Sequence, residues 1–303
     1  MFFRSSCVRL IFLVASVACW PEDDYSGDDN KGFLDFLFSD YSTDWNCRCG
    51  LPNREARLLG GEYLKTHEFP WLAIIQVRGE TAIPGTLIND RYILTSGSQM
   101  IGLTPYDVKV TLGQFDRCFP DVTSQNVSVS AILLHPDFSP GNRAYDIALV
   151  RLNTPVQYEK RMRPICLSFP GHKYTGQVAT VVGWTEAPLP DGETSATCRP
   201  RKAGLPVLSY SDCVATAFDP AYVSADKGCV GIIGTRSIVC NTDAGGPVMF
   251  RTRNGIYEVI GLLSDRNDCS EAPSTALFTR ISSHLDWIKR NTRDAVYCVK
   301  SDY

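Results

Sequence analysis

From Leu58 onward, short apolar runs alternate with polar segments that contain many turn-forming residues. The runs are rich in β-branched residues and are bounded by Gly, Pro, Asn or Asp, a pattern typical of an all-β barrel or sandwich. They lie at residues 71–77, 92–95, 107–112, 147–152, 178–182 and 259–263. This spacing predicts an all-β domain.

One helix is predicted near the end of the chain, at residues 282–291. Leu285 and Ile288 fall on the same helical face, and either Ser282 or Ser283 can cap the first turn. The prediction is therefore an all-β domain that closes with a single helix.

The N-terminal residues 1–19 have the features of a secretory signal peptide. Arg4 and Arg9 come before or at the start of the apolar run 10–18, and a polar stretch follows. This run is shorter than the roughly 20 residues that a bilayer-spanning helix needs. The alternative is a buried N-terminal helix, but the acidic residues that follow at once argue against it. We expect a secreted, extracellular protein.

The cysteine count supports an oxidising compartment. The chain contains twelve cysteines, and secretion permits them to form disulfides. Cleavage after Cys19 would also remove Cys7 and leave an even ten, whereas cleavage after Ala18 would leave eleven, so parity favours the former. No cysteine or histidine cluster has the spacing of a zinc site, and no metal or other cofactor is predicted.

Charge is concentrated in the segment that follows the signal peptide. Residues 20–45 contain eight acidic residues against Lys31, a charge of −7, while the whole chain carries −3. We expect residues 20–57 to be an acidic, largely disordered pro-segment. Residues 33–38 form an apolar cluster within it, which either packs loosely on the body or serves as a docking motif. The overall charge gives no indication of nucleic-acid binding.

Nine segments, in order and at the expected spacing, resemble the trypsin/chymotrypsin-like serine protease family. They include Phe-Pro-Trp, Tyr-Asp-Ile-Ala-Leu, Val-Gly-Trp and Asp-Ala-Gly-Gly-Pro, and lie at residues 58–61, 69–71, 87–89, 94–95, 145–149, 163–166, 182–184, 243–247 and 286–288. The resemblance covers residues 49 to about 292. It implies two six-stranded antiparallel β-barrels with a C-terminal helix, spanning residues 58–292, and leaves 293–303 as a tail.

The catalytic positions that the resemblance assigns carry the wrong side chains. Acyl transfer by this family needs a hydroxyl nucleophile, an imidazole base and a buried carboxylate. Ser98 stands where the motif Leu-Thr-Ala-Ala-His-Cys has its histidine, and Ala244 stands where Gly-Asp-Ser-Gly-Gly-Pro has its serine. Asp146 alone matches the triad. A serine hydroxyl is too weak a base and a methyl group cannot attack, so no enzymatic activity is expected.

The four histidines offer no evident substitute base. His67 and His135 lie in framework stretches, His284 lies on the predicted helix, and His172 is the fourth. We expect all of them to be structural or exposed to solvent.

The substrate-binding positions also depart from the family pattern. Thr242 replaces a glycine of the oxyanion hole, whose backbone N–H groups stabilise the developing charge. Ile238 occupies the base of the specificity pocket, while Arg266 and Ala276 align with glycines that keep the pocket open. Asp265 aligns with a tryptophan of the substrate-pairing strand. A blocked cleft is predicted.

The activation machinery, in contrast, is retained. Arg57 and Leu58 resemble the family's activation cleavage site, and Asp243 matches the carboxylate that pairs with the new amino terminus. A buried charge without a partner is costly, so cleavage after Arg57 is predicted to place Leu58 beside Asp243. The alternative is a relic site that is never cut. Asp146 is expected to be structural, with a hydrogen bond from Ser264 and further bonds from backbone amides.

The resemblance implies three disulfides, Cys49–Cys166, Cys213–Cys229 and Cys240–Cys269. Four cysteines remain, and sequence does not choose among their three pairings; they are Cys47, Cys118, Cys198 and Cys298. Cys47 and Cys49 alone cannot form a clip domain, which needs six cysteines. Asn126-Val-Ser is a glycosylation sequon in a predicted loop.

The leading functional hypothesis is a non-catalytic protease homologue. Similarity to insect-type homologues implies a binding cofactor or regulator in an extracellular cascade, such as innate immunity or melanisation. Its expected partners are extracellular proteins: proteases, their zymogens or pathogen surfaces. One alternative is an adhesion or structural protein that reuses the fold, and another is a hydrolase with unusual catalytic groups.

Overall fold

A computed structural model describes residues 42–53, 62–119, 121–184, 198–216, 219–234, 239, 243–264 and 275–300. Its strands are β1 (Ser42–Arg48), β2 (Glu62–Tyr63), β3 (Leu72–Val77), β4 (Thr81–Leu87), β5 (Tyr92–Thr95), β6 (Val108–Leu112), β7 (Gln125–Leu134), β8 (Ala148–Leu152), β9 (Cys166–Leu167), β10 (Val178–Gly183), β11 (Arg201–Pro206), β12 (Lys227–Gly231), β13 (Pro247–Arg251), β14 (Tyr257–Leu263), β15 (Thr275–Arg280) and β16 (Val296–Val299). The α-helices are α1 (Tyr210–Thr216) and α2 (Leu285–Asn291). Within this described part, no helix has the length and apolar character needed to cross a membrane.

The first half of the domain is a closed barrel of six strands, in the order β3-β4-β5-β8-β7-β6. Every neighbouring pair is antiparallel. Ile75, Leu87 and Ile93 are fully buried, and the side chains of Ile75 and Ile93 meet over Gly85 of β4. The apolar runs predicted as strands therefore form this barrel because their side chains fill its interior.

The second half is a curled sheet in the order β12-β15-β14-β13-β10-β11-β2, with β9 parallel to β14. A single bridge between Val207 and Val230 brings the end of β11 back to β12. The predicted double-barrel fold is thus confirmed. Among the described residues, the second barrel closes through this one bridge and not through a continuous ladder.

One apolar cluster spans both halves. The Trp71 ring lies 5.4 Å from that of Phe69 and 5.7 Å from that of Tyr257 in β14. Trp287 and Ile288 of α2 belong to the same buried cluster. The groove between the barrels is therefore fixed by packing, and the candidate site lies there.

Both ends of the described chain are more ordered than the sequence predicted. β1 falls within the pro-segment expected to be largely disordered, and β16 falls within the expected tail 293–303. The two strands pair in parallel, and a disulfide joins Cys47 to Cys298. The expectation of disorder is wrong for residues 42–53, because long-range pairing and cross-linking supply order that a local pattern does not reveal.

The C-terminal helix begins later than predicted. The serines expected as caps lie in a 3₁₀ turn, Ile281–Ser283, and α2 starts at Leu285 after His284. The prediction of Ser282 or Ser283 as the cap is therefore wrong, since the chain turns once more before the helix begins.

Candidate active site

Asp146 is the centre of the candidate site and is fully buried. Its Oδ1 accepts a hydrogen bond from the Ser98 amide at 2.6 Å, while Oδ2 accepts bonds from the hydroxyls of Ser98 at 3.1 Å and Ser264 at 2.5 Å. The structure therefore brings together Ser98, Asp146 and Ser264. The bonds from Ser264 and from a backbone amide agree with the prediction, and the bond from the Ser98 hydroxyl was not predicted. All these contacts donate to Asp146.

A short 3₁₀ turn, Gly97–Gln99, aims Ser98 at this carboxylate. A Cβ on Gly97 would lie 3.2 Å from the Ile147 carbonyl oxygen, so the close approach favours glycine. The turn directly follows β5 of the first barrel. Ser98 consequently points toward Asp146, and it is the residue that the resemblance aligns with the family's base.

Ala244 lies on a tight turn that contacts the first barrel. Gly245, with φ of 93°, donates its amide to the Leu263 carbonyl at 2.8 Å. A Cβ on Gly245 would lie 2.3 Å from the Thr95 hydroxyl, so only glycine fits there. The Ala244 methyl itself is fully buried. This turn therefore presents a methyl group, and no nucleophile, at residue 244.

Lys227 is a site residue that the sequence analysis missed. It is 1% exposed, and its Nζ donates to the hydroxyls of Ser264 and Thr279, both at 2.7 Å. Burial lowers the pKa of Lys227 to about 8, although the nearby charges of Asp146 and Asp226 oppose that shift. The only signal in the sequence was a lysine two residues before Cys229, in a segment otherwise suited to a buried strand.

The histidines have partners away from Asp146. His284 Nε2 lies 3.2 Å from Asp226, and His67 Nε2 lies 3.2 Å from Asp121. The His135 ring stacks on Tyr145 at 4.9 Å, and burial is the main cause that lowers its pKa.

Asp226, which lies near His284 and Lys227, has a strongly perturbed pKa. Burial alone would raise the pKa of Asp226, but hydrogen bonds from His284, Ser224 and the Tyr145 amide, with the charge of Lys227, lower it to about 2. His284 is thus engaged with Asp226 and not with the triad carboxylate.

The described part of the specificity region is apolar and tightly packed. Ala276 of β15 is fully buried, in one cluster with Val230, Val239 and Phe278. The other positions predicted to block the cleft lie outside the described residues; they are Ile238, Thr242, Asp265 and Arg266.

Asp243 is 2% exposed at the end of the turn that carries Ala244. A Cβ on Gly183 would lie 2.0 Å from its Oδ1, so the carboxylate rests against the end of β10. Its predicted partner Leu58 and the cleavage residue Arg57 lie outside the described residues.

The disulfides Cys49–Cys166 and Cys213–Cys229 are present, as the resemblance implied. The four cysteines left open pair as Cys47–Cys298 and Cys118–Cys198. Cys240 and Cys269 lie outside the described residues. Asn126 is exposed, but it lies in β7 and not in the predicted loop.

Comparison with known proteins agrees with this architecture. The family model described as Trypsin matches residues 58–288. The chain is 31% identical over 271 residues to "Phenoloxidase-activating factor 3" of Holotrichia diomphalia, covering 81% of this chain and 75% of that protein. It is 30% identical over 279 residues to "Phenoloxidase-activating enzyme 1" of Spodoptera litura, covering 86% and 73%. It is also 30% identical over 272 residues to "CLIP domain-containing serine protease B10" of Anopheles gambiae, covering 81% and 72%. The chain belongs to the trypsin family.

Proposed function

We propose that this protein is a secreted, catalytically inactive serine protease homologue that acts by binding other proteins in an extracellular proteolytic cascade. The observation that carries the proposal is the pairing of Ser98 with Asp146, which leaves the base position occupied by a hydroxyl, together with a methyl group at Ala244. Removing one catalytic residue of a triad costs on the order of 10⁶ in rate. Here both the base and the nucleophile are replaced.

The names of the relatives support a role in a cascade. Two of them are named for phenoloxidase activation, in a beetle and a moth, and a third is named as a serine protease of a mosquito. A protein that keeps the fold but lacks the reactive groups is suited to bind a protease or its zymogen and so regulate it. The N-terminal signal sequence and the disulfides fit an extracellular setting.

Cleavage after Arg57 is part of this proposal. The buried position of Asp243 is where the family receives a new amino terminus, and Leu58 would supply it. Such insertion would order neighbouring loops and change the surface that a partner recognises. An Arg57→Gln variant separates the cleaved form from the intact form.

Catalytic inactivity is tested with purified, Arg57-cleaved protein and a phosphonate that labels reactive serines. We expect neither labelling nor hydrolysis of peptide esters. Active trypsin serves as the positive control. Covalent labelling in proportion to the amount of this protein would overturn the proposal and favour an unusual hydrolase.

The binding role is tested by reconstitution with prophenoloxidase and its activating protease. We expect the cleaved protein to change phenoloxidase output and the Arg57→Gln variant to have a smaller effect. Affinity capture with both forms should retain the protease or its zymogen. Exclusive retention of matrix or cell-surface proteins would contradict the cascade role and favour adhesion.

A further inference from the structure

A buried lysine, Lys227, is connected to Asp146 through two hydroxyl groups. Lys227 begins β12 of the second barrel, and its ammonium group contacts the hydroxyls of Ser264 and Thr279. Asp146 belongs to the segment that leads into β8 of the first barrel. The ammonium group and Asp146 thus approach the same pair of hydroxyls from opposite halves of the domain, with the Asp146 carboxylate at Ser264 and the Asp146 backbone carbonyl at Thr279.

The direction of these hydrogen bonds follows from the chemistry of the ammonium group, which donates and never accepts. Both hydroxyls accept a hydrogen bond from Lys227 and donate their own hydrogen bonds to Asp146. Ser264 donates to Oδ2 of Asp146 at 2.5 Å, and Thr279 donates to the backbone carbonyl of Asp146 at 3.0 Å. Two polarised hydroxyls therefore connect one buried cation to one buried aspartate.

The buried charges of Lys227 and Asp146 compensate each other. A buried carboxylate or ammonium without compensation is strongly unfavourable. Asp226, the other acidic group near Lys227, already receives bonds from Ser224, the Tyr145 amide and His284. Among the described residues, in contrast, the donors to the Asp146 carboxylate are hydroxyl and amide groups.

We infer that Lys227 is the counter-ion of Asp146 and that, through Ser264 and Thr279, it clamps the two barrels together at this aspartate. Ser98 cannot supply a positive charge from the first barrel, so the second barrel supplies it. The inference concerns stability and holds whether or not the cascade role is correct.

The charged state of Lys227 follows from the groups that face it. Burial lowers its pKa to about 8, the charges of Asp146 and Asp226 raise it, and that of Arg143 lowers it further. The side chain is therefore mostly protonated at neutral pH. It loses its charge as the pH rises past 8, so the charge coupling between Lys227 and Asp146 should weaken in that range. Because the folded pKa lies below the unfolded value of about 10.4, this deprotonation does not itself destabilise the fold.

The test is a double-mutant cycle on the full secreted chain, with Lys227→Met and Asp146→Asn, followed by urea unfolding at pH 7. Each single variant should lower the equilibrium constant for folding by on the order of 100-fold, because it leaves one charge buried alone. The double variant should lose at least tenfold less than the product of the two single losses. Strictly multiplicative losses would overturn the inference.

A matched control uses the buried ion pair of Lys202 and Glu68, whose atoms are 2.6 Å apart and which includes none of the clamp residues. Lys202→Met combined with Asp146→Asn should show independent effects. Repeating the main cycle at pH 9.5 should reduce the coupling between Lys227 and Asp146, since the ammonium group is then largely neutral. A coupling that does not change with pH would arise from packing and not from charge, and would contradict the inference.

If Lys227→Met does not fold, the Asp146→Asn variant still gives an answer. Lysine side chains labelled with ¹³C report the protonation of Lys227 by NMR titration. Removing the Asp146 charge should lower the measured pKa of Lys227 by about one unit or more. An unchanged pKa would overturn the inference.

Discussion

Ser98 donates twice to Asp146, through its backbone amide to Oδ1 at 2.6 Å and through its hydroxyl to Oδ2 at 3.1 Å. Together with Ser264, these donors satisfy both carboxylate oxygens without any imidazole. In the trypsin family this carboxylate orients the base. Here it is oriented by its neighbours, so its role is consistent with support of the fold.

The two serines that contact Asp146 should differ in their importance for stability. Ser98→Ala removes one hydroxyl bond but keeps the amide bond, and should lower the free energy of unfolding by about 1 kcal/mol. Ser264→Ala removes the shorter bond and one of the two contacts of Lys227, and should cost about 3 kcal/mol. Urea unfolding with the disulfides intact measures both values.

The comparison of these serines has a built-in control. Ser283 is exposed at the end of the 3₁₀ turn Ile281–Ser283, and Ser283→Ala should change stability by less than about 0.5 kcal/mol. Equal losses for Ser98→Ala and Ser264→Ala would show that the bridge from Asp146 to Lys227 adds nothing.

The pairing of Asp226 with His284 predicts a specific acid sensitivity. Because the pKa of Asp226 in the folded protein is about 2, below the value of about 4 in an unfolded chain, the ionised carboxylate stabilises the fold above pH 4. This contribution, roughly 2 kcal/mol, is lost as the pH falls through 2. Asp226→Asn should therefore destabilise the protein at pH 7 and make little difference below pH 2.

Urea unfolding between pH 2 and pH 7 tests this dependence. Asp137, whose side chain is 68% exposed near His135, is the matched control, and Asp137→Asn should alter stability little at any pH. A loss for Asp226→Asn that stays constant across the range would mean that the pKa of Asp226 is not depressed.

Much of the fold could be predicted because its signals are local or repeat along the chain. Runs such as 92–95 are apolar, β-branched and bounded by turns, and they form strands within about one residue of the prediction. The helix start could not be located, since a 3₁₀ turn and a helical turn have similar side-chain patterns. The β1–β16 ribbon depends on pairing between distant ends of the chain, which leaves no local periodicity.

The candidate site also contains residues that the sequence could predict and one that it could not. The residue types at 98, 146 and 244 and the contact from Ser264 could be predicted, because motif spacing identifies the positions. Lys227 could not, since a lysine beside apolar residues is usually exposed. Only the fold places its ammonium group behind Asp146.

Asn126 should carry an N-linked glycan. Its side-chain Oδ1 accepts a hydrogen bond from Thr111 at 2.8 Å, and both Asn126 and Ser128 are exposed on β7. This geometry leaves the amide nitrogen available to the modifying enzyme. Protein secreted from eukaryotic cells should lose mass on treatment with an N-glycosidase.

Two variants define the glycan site. Asn126→Gln and Ser128→Ala should each abolish the mass change, because both destroy the sequon. Thr111→Val, which removes only the hydrogen bond, should keep it. A glycan that persists in Ser128→Ala would assign the modification elsewhere.

The acidic segment should stay attached after cleavage at Arg57. Two disulfides, Cys47–Cys298 and Cys49–Cys166, join residues before the cleavage site to the body. Cleaved protein should therefore migrate as one species without reductant and separate into two chains with it. Either bond alone should suffice, because each crosses the cleavage site independently.

Paired replacements by serine distinguish the two links. Cys47→Ser with Cys298→Ser, or Cys49→Ser with Cys166→Ser, should leave the cleaved chains joined in denaturant. Replacing all four cysteines should release the N-terminal segment. Release from either two-cysteine variant would show that the remaining disulfide does not form in the secreted protein. If both bonds hold, a partner that recognises the cleaved form meets the acidic segment on the same molecule as the rearranged surface, so cleavage changes the surface without removing any part of the protein.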